Sequence, residues 1–111
     1  MLVLHGFTGN PSSMRIQANA FAELGYHVEL PRLPGHGTSV DDMLATDWSD
    51  WTGEVEAAHQ RLAARTNKIV VMGLSMGGSL SLWTGLQHGD VAGLILVNPA
   101  TKAQPDDVVA M

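Results

Sequence analysis

Short apolar runs alternate with longer segments of helical periodicity along the whole chain. Each apolar run has the length of a buried strand, and between the runs apolar residues recur every three or four positions. The predicted strands are residues 2–5, 26–30, 68–72 and 93–97. The predicted helices are residues 11–24, 47–65 and 78–87. This alternation predicts the α/β fold class, with a mostly parallel sheet of about four strands and helices on both faces.

A serine flanked by glycines lies between the third predicted strand and the third predicted helix. The segment Gly73-Leu74-Ser75-Met76-Gly77 has the form G-x-S-x-G. In a nucleophile elbow this form places the serine on a strained strand-to-helix turn, with its hydroxyl clear of the sheet. Gly73 and Gly77 are expected because a side chain there would collide with the neighbouring strand and helix. Ser75 is the predicted nucleophile, and an incidental serine in a glycine-rich turn is the alternative.

A second glycine-containing loop, His5-Gly6-Phe7-Thr8-Gly9, follows the first predicted strand. Acyl transfer develops a negatively charged oxygen, and two backbone N–H groups directed at that oxygen make a large catalytic contribution. Met76, directly after the nucleophile, is predicted to supply one N–H group, and Phe7 the other, with Gly6 loosening the backbone. The two loops meet if the first and third strands are neighbours. The His5 side chain itself is expected to be packed.

Nucleotide binding is the competing interpretation of the glycine-rich turn. A dinucleotide fingerprint needs glycine where Ser75 stands and an acidic residue after the next strand, which ends in Val97-Asn98. A Walker-type loop needs Gly-Lys before Ser or Thr, and this is missing. With six Lys and Arg residues, scattered along the chain, and a formal net charge of −5, the sequence also disfavours a nucleic-acid partner.

The remaining features of the sequence bear on the location of the protein in the cell and on its need for a cofactor. No apolar run approaches the length that a membrane span requires, and the first residues do not have the basic start and long apolar region of a signal peptide. The chain contains no cysteine, which fits a reducing compartment, so a cytoplasmic location is expected. No metal-ligand set and no cofactor motif is predicted.

The two loops together resemble the α/β-hydrolase superfamily, and the fuller string is similar to bacterial carboxylesterases and monoacylglycerol lipases. The matching segments are Leu4–Asn10, Gly35-His36-Gly37, Gly73–Gly78 and Gly93–Asn98. The resemblance implies a serine hydrolase that cleaves small carboxylic esters through an acyl-enzyme on Ser75, with Phe7 and Met76 as the oxyanion donors. Thioesterases, serine peptidases and carbon–carbon bond hydrolases share these motifs.

The chain departs from the family pattern in two ways. Many relatives carry Asp where Arg32 stands, two residues before Pro-Gly-His-Gly, which leaves the subfamily open. The family order of the triad is Ser, then Asp or Glu, then His. After Ser75 the only histidine is His88, which is expected to point away from the nucleophile. Among the earlier histidines, His36 is a candidate for contact with substrate and His59 is expected to be solvated.

The incomplete triad leads to the expectation of a partial chain. Residues 1–111 would form part of an α/β-hydrolase core domain, and residues 101–111 would begin a cap insertion. The rest of the same polypeptide would then supply the acid and the histidine, and this chain alone is expected to be inactive. A non-catalytic binding module that keeps the elbow without a triad is the alternative from another class.

Overall fold

A computed structural model describes residues 1–6, 11–36 and 40–99 of the chain. Three strands, β1 (Leu2–Leu4), β2 (Ile69–Leu74) and β3 (Val91–Val97), form one sheet in the order β1-β2-β3. Four α-helices accompany the strands in this part of the chain, and a 3-10 turn at Pro11–Met14 leads into the first of them. The helices are α1 (Arg15–Glu23), α2 (Val40–Leu44), α3 (Trp48–Ala63) and α4 (Met76–Gln87).

Both pairs of neighbouring strands in the sheet are parallel. Leu4 of β1 lies opposite Gly73 of β2, and Leu74 of β2 lies opposite Val97 of β3. The first strand is therefore next to the strand that leads into the serine turn, which meets the condition under which the two glycine loops come together. Since all three strands run the same way, their carboxyl ends meet at one edge of the sheet.

The sheet is packed on both faces, which explains its continuous apolar strands. On one face Leu2, Leu4 and Val71 join α3 and α4 in a core that includes Val55, Ala58, Leu62 and Leu80. On the other face Val3 packs with Met14, and Phe21 of α1 lies against this second core. Strand residues alternate between the two cores because successive side chains point to opposite faces. The prediction of an α/β fold with helices on both faces is confirmed.

The segment predicted as a strand over residues 26–30 contributes a single bridge. Glu29 pairs with Leu2 in parallel, and its backbone bonds to the Val3 N–H and the Met1 carbonyl at 2.9 and 3.0 Å. Because β1 has only three residues, it offers few backbone groups with which the Glu29 segment could form a longer ladder. The described sheet therefore has three strands rather than about four, with the Glu29 segment lying along the outer side of β1.

Helix ends follow local signals in the sequence. The Asp47 side chain accepts from the Asp50 N–H while Asp50 accepts from the Asp47 N–H, a reciprocal capping box that begins α3. Gly25, at φ 95°, follows the end of α1 in a conformation that favours glycine. Most bounds differ from the prediction by one or two residues, and at the serine turn β2 continues to Leu74 and α4 begins at Met76. The short helix α2 was not predicted.

The interpretation of His59 as a solvated residue is wrong. Its polar sequence neighbours lie on the outer side of α3, whereas His59 itself faces α4 and is 2% exposed. Its ring stacks on that of His88, with centroids 3.7 Å apart and planes within 15° of each other. Helical periodicity alone did not separate this position from its exposed neighbours.

The far edge of the sheet is the least covered part of the fold. Leu94, Ile95 and Val97 of β3 are each about two-fifths exposed, at 38%, 40% and 38%. An apolar, parallel edge strand with open backbone groups is a surface to which further strands can pair. Within the described ranges, no helix is long and apolar enough to cross a membrane.

Candidate functional site

Ser75 occupies the turn between β2 and α4 in a conformation that residues other than glycine rarely adopt. Its backbone has φ 55° and ψ −117°, and the residue is exposed. The Ser75 N–H donates to the Val97 carbonyl at 2.9 Å, and its own carbonyl accepts from the Gly78 N–H at 2.9 Å. Such backbone strain costs about 1–3 kcal/mol and persists where the surroundings over-determine it. The turn therefore has the strain and exposure of a nucleophile elbow.

The two glycines of the motif make backbone contacts that no side chain could accommodate. A Cβ on Gly73 would lie 2.0 Å from the Gly77 carbonyl oxygen, and a Cβ on Gly77 would lie 2.3 Å from the carbonyl oxygen of Leu4. Because Gly77 has no side chain, the first turn of α4 packs directly on the end of β1. Because Gly73 has none, β2 also lies close to that turn. These contacts hold the Ser75 turn in place.

The first of the two glycine loops reaches the serine through Gly6. A Cβ on Gly6 would lie 3.3 Å from Ser75 Cβ and 3.1 Å from the Leu74 carbonyl oxygen. Phe7, the predicted second oxyanion donor, lies outside the described residues. Met76 is the first residue of α4, where an N–H group has no acceptor within the helix. The end of β1 and the start of α4 therefore converge beside the Ser75 side chain.

His5 ties this loop to the segment that follows Glu29. Its Nε2 accepts from the Leu33 N–H at 3.0 Å, so the ring proton is on Nδ1, which donates to the Gly6 carbonyl at 3.0 Å. The ring is fully buried. Burial lowers the pKa of His5, with the Gly6 hydrogen bond acting against it. His5 is thus a packed, neutral bridge, as expected of its side chain, but its partner Leu33 was not foreseen.

His36 lies in the same segment and packs rather than opening toward solvent. Its ring centroid is 5.2 Å from that of His5 and 5.8 Å from that of Trp51, and the residue is 2% exposed. Trp51 Nε1 donates to the Pro34 carbonyl, and Thr46 Oγ1 donates to the same oxygen, both at 3.2 Å. His36 thus packs against His5 and Trp51, and its contact with substrate stays a prediction.

The structure does not bring a described histidine to Ser75. The Ser75 side chain has no hydrogen bond to any histidine within residues 1–6, 11–36 and 40–99. His88, at the C-terminal end of α4, contacts Glu56 of α3 through its Nε2, 2.6 Å from Oε2. Asp90 precedes β3 and therefore lies at the amino ends of the strands, whereas Ser75 lies at the carboxyl ends. Asp106 and Asp107 are outside the described residues.

Comparison with known sequences decides the family. The sequence profile of the Alpha/beta hydrolase family matches residues 1–111. The chain belongs to this family. The match spans both glycine loops and all three strands, so the family assignment agrees with the sheet order and with the geometry of the Ser75 turn.

The chain is similar to proteins named as a monoacylglycerol lipase and a carboxylesterase, and to a solved structure from work on lipolytic enzymes. A thermostable monoacylglycerol lipase of Bacillus sp. (strain H-257) is 48% identical over 100 residues, which cover 90% of this chain and 40% of that protein. A carboxylesterase of Bacillus subtilis (strain 168) is 35% identical over 77% of this chain and 35% of its own length. The solved structure from work on LipS and LipT, two metagenome-derived lipolytic enzymes, superimposes with a TM-score of 0.91 at 44% identity, over 98% of this chain and 45% of that one.

The glycine contacts predict opposite effects for two Gly→Ala substitutions. Gly77→Ala places a methyl group against the backbone of β1 and should destabilise the protein by about 3 kcal/mol, the upper end of typical overpacking costs. Gly53→Ala, on α3 with no atom near its would-be Cβ, should stabilise by about 0.5–1 kcal/mol. Urea denaturation measures both, and equal effects of the two substitutions would contradict the packing at Gly77.

The buried state of His5 predicts that stability falls in mild acid. Unfolded His5 takes up a proton near its ordinary pKa of about 6.5, whereas the folded ring, with its lowered pKa, resists protonation. The free energy of unfolding should therefore decrease as pH falls below about 6.5 toward the folded pKa. His59, whose pKa burial also lowers, adds a change of the same sign.

The matched variants are His5→Gln and His27→Gln, since His27 is exposed. Urea denaturation between about pH 5 and pH 8 should show a shallower pH dependence for His5→Gln and an unchanged one for His27→Gln. A stability that rises as pH falls, or an unchanged slope in His5→Gln, would contradict the assignment of a neutral His5.

Proposed function

We propose that this chain carries the nucleophile of a serine hydrolase that cleaves carboxylic esters, with Ser75 as the attacking residue. The observation that carries the proposal is the backbone of Ser75, held at φ 55° between a parallel strand and a helix, with the residue exposed. A serine in an ordinary turn adopts an unstrained backbone conformation. Activated serine nucleophiles of this fold class occupy such a turn.

The proposed chemistry is acyl transfer in two steps. The Ser75 hydroxyl oxygen attacks the ester carbonyl carbon while a histidine removes its proton, and the same histidine then protonates the departing alcohol. Water, deprotonated by that histidine, attacks the acyl-enzyme and releases the acid and the free Ser75 hydroxyl. The Met76 N–H, at the start of α4, stabilises the oxyanion together with the N–H of Phe7.

Helix α4 supports this role for Met76. It runs from Met76 to Gln87, so its first turn, where the partial positive charge of the helix is concentrated, adjoins Ser75. Gly6, which directly precedes Phe7 in the sequence, lies close to Ser75: a Cβ on Gly6 would be 3.3 Å from Ser75 Cβ. Removal of one oxyanion donor typically lowers kcat by about 10²–10³-fold, so the pair would supply a large part of the rate enhancement.

A small-molecule ester is the proposed substrate class, supported by the names of the relatives, a monoacylglycerol lipase and a carboxylesterase. The chain spans about 40% of the length of that lipase and about 35% of that of the carboxylesterase. We infer that the triad acid and histidine come from residues outside this chain, as its own His88 contacts Glu56 at the other end of the sheet. The 111 residues alone should then have no esterase activity. The proposed location is the cytoplasm.

The test joins residues 1–111 to the remaining part of the Bacillus sp. monoacylglycerol lipase. This chimera should hydrolyse p-nitrophenyl butyrate, and Ser75→Ala should lower its turnover by about 10⁴–10⁶-fold, as loss of a triad residue does in serine hydrolases. Ser49→Ala, an exposed serine on α3, is the matched control and should leave turnover unchanged. Release of p-nitrophenolate measures all three proteins.

Three results would count against the proposal in different ways. Hydrolysis by the chimera that survives Ser75→Ala would remove Ser75 from the mechanism. Ser75-dependent turnover by the 111-residue chain alone would show that the chain, or a second copy of it, supplies its own base. A folded chimera without activity would favour a binding module that keeps the elbow without catalysis.

A further inference from the structure

A cluster of metal-ligand side chains lies at the end of the sheet away from Ser75. Glu56 and His59 belong to α3, and His88 follows the last residue of α4. One ligand atom from each of the three lies within 4.8 Å of the others. The register between β2 and β3 spans six residues from the His88 end to the Ser75 turn, which is about 20 Å at the rise of a strand. The cluster is therefore separate from the catalytic site.

The three side chains already contact one another. His88 Nε2 lies 2.6 Å from Glu56 Oε2, and the His59 and His88 rings stack with centroids 3.7 Å apart. The Glu56 and His59 positions, three residues apart, share one face of α3. Asp90 stands at the rim, where its Oδ1 is 3.8 Å from His59 Nε2. Two imidazoles and two carboxylates thus converge from two helices and a turn.

The burial of the His59 ring is not explained by hydrogen bonds to the described residues. It is 2% exposed, and neither of its ring nitrogens has a hydrogen-bond partner among the described residues. A buried polar atom without a partner costs about 1–3 kcal/mol. A neutral imidazole carries a lone pair on one of its ring nitrogens. A ligand that accepts this lone pair would account for an imidazole placed here.

We propose that Glu56, His59 and His88 form a binding site for a divalent transition-metal ion of the Zn²⁺ type. Neutral imidazole and carboxylate are ligands that Zn²⁺ prefers, and three of them leave one position of a tetrahedron for water or for Asp90. Bond lengths of about 2.0–2.2 Å place the ligand atoms of such a site about 3.3–3.5 Å apart. The ligand atoms, which lie within 4.8 Å of one another, must therefore move closer together by up to about 1–1.5 Å to bind the ion.

The stacked rings must also turn, because parallel imidazoles cannot both point a lone pair at one ion. His88 and Glu56 have side chains that are 19% and 38% exposed, so they have room to rotate about a fixed His59. Coordination through His88 Nε2 replaces its hydrogen bond to Glu56, and the ring proton moves to Nδ1 through solvent. The bound ion would tie α3 to the end of α4 and the start of β3.

The test titrates the purified chain, freed of metal by a chelator, with Zn²⁺ alone in a calorimeter. We expect one equivalent to bind and the thermal unfolding midpoint to rise, since an ion that binds only the folded state stabilises it. Glu56→Gln and His88→Gln should each weaken binding by about 100-fold or more, because even residues that only orient metal ligands contribute about 10–100-fold. Co²⁺ should show the visible spectrum of a tetrahedral site, which both variants lose.

Glu54→Gln and His27→Gln are the matched controls, since Glu54 pairs with Arg61 on the same helix and His27 is exposed. Both should bind Zn²⁺ as the unchanged chain does. Far-ultraviolet circular dichroism confirms that each variant is folded, and the partly exposed Glu56 and His88 are chosen because His59→Gln could fail to fold. Absence of Zn²⁺ binding, or equal weakening in the controls, would overturn the proposal.

Discussion

The close approach of α4 to the end of β1 is the contact on which the rest of the structure depends. Gly77 lies so near the Leu4 and His5 carbonyls that a methyl group at this position would be 2.3 and 2.6 Å from their oxygens. Backbone packed on backbone leaves the chain between β2 and α4 little freedom, so Ser75 is held at φ 55°. The strain of that residue, about 1–3 kcal/mol, is offset by the cores on the two faces of the sheet.

Parallel pairing gives the two ends of this sheet different chemistry. At the carboxyl ends, Gly6 and the start of α4 surround an exposed hydroxyl, and the neutral His5 holds the neighbouring loop through Leu33. At the amino ends, α3 and α4 place Glu56 beside two stacked histidines. The apolar layer between them keeps the two clusters apart. The proposed hydrolase chemistry concerns the first end, and the proposed metal site adds a role for the second.

The features that the sequence predicted well are those set by local rules. The Ser75 turn follows from G-x-S-x-G between a strand and a helix, and the parallel direction of the strands follows from their alternation with helices. The length of the second predicted strand depended on its pairing with β1, which is limited to the single bridge between Leu2 and Glu29. The burial of His59 depended on α4 packing across it, a contact between residues 29 positions apart along the chain. The Glu-x-x-His spacing of Glu56 and His59 is the signal that would have indicated this cluster, and no metal site was predicted from it.

The central claim is that the strained Ser75 is the nucleophile, and a covalent trap tests it most directly. A fluorophosphonate reacts with an activated serine and leaves a stable adduct. Mass spectrometry of the digested chimera should locate that adduct on the peptide containing Ser75, with one label per chain. An adduct on another residue, or unlabelled Ser75 in a chimera that hydrolyses esters, would contradict the account.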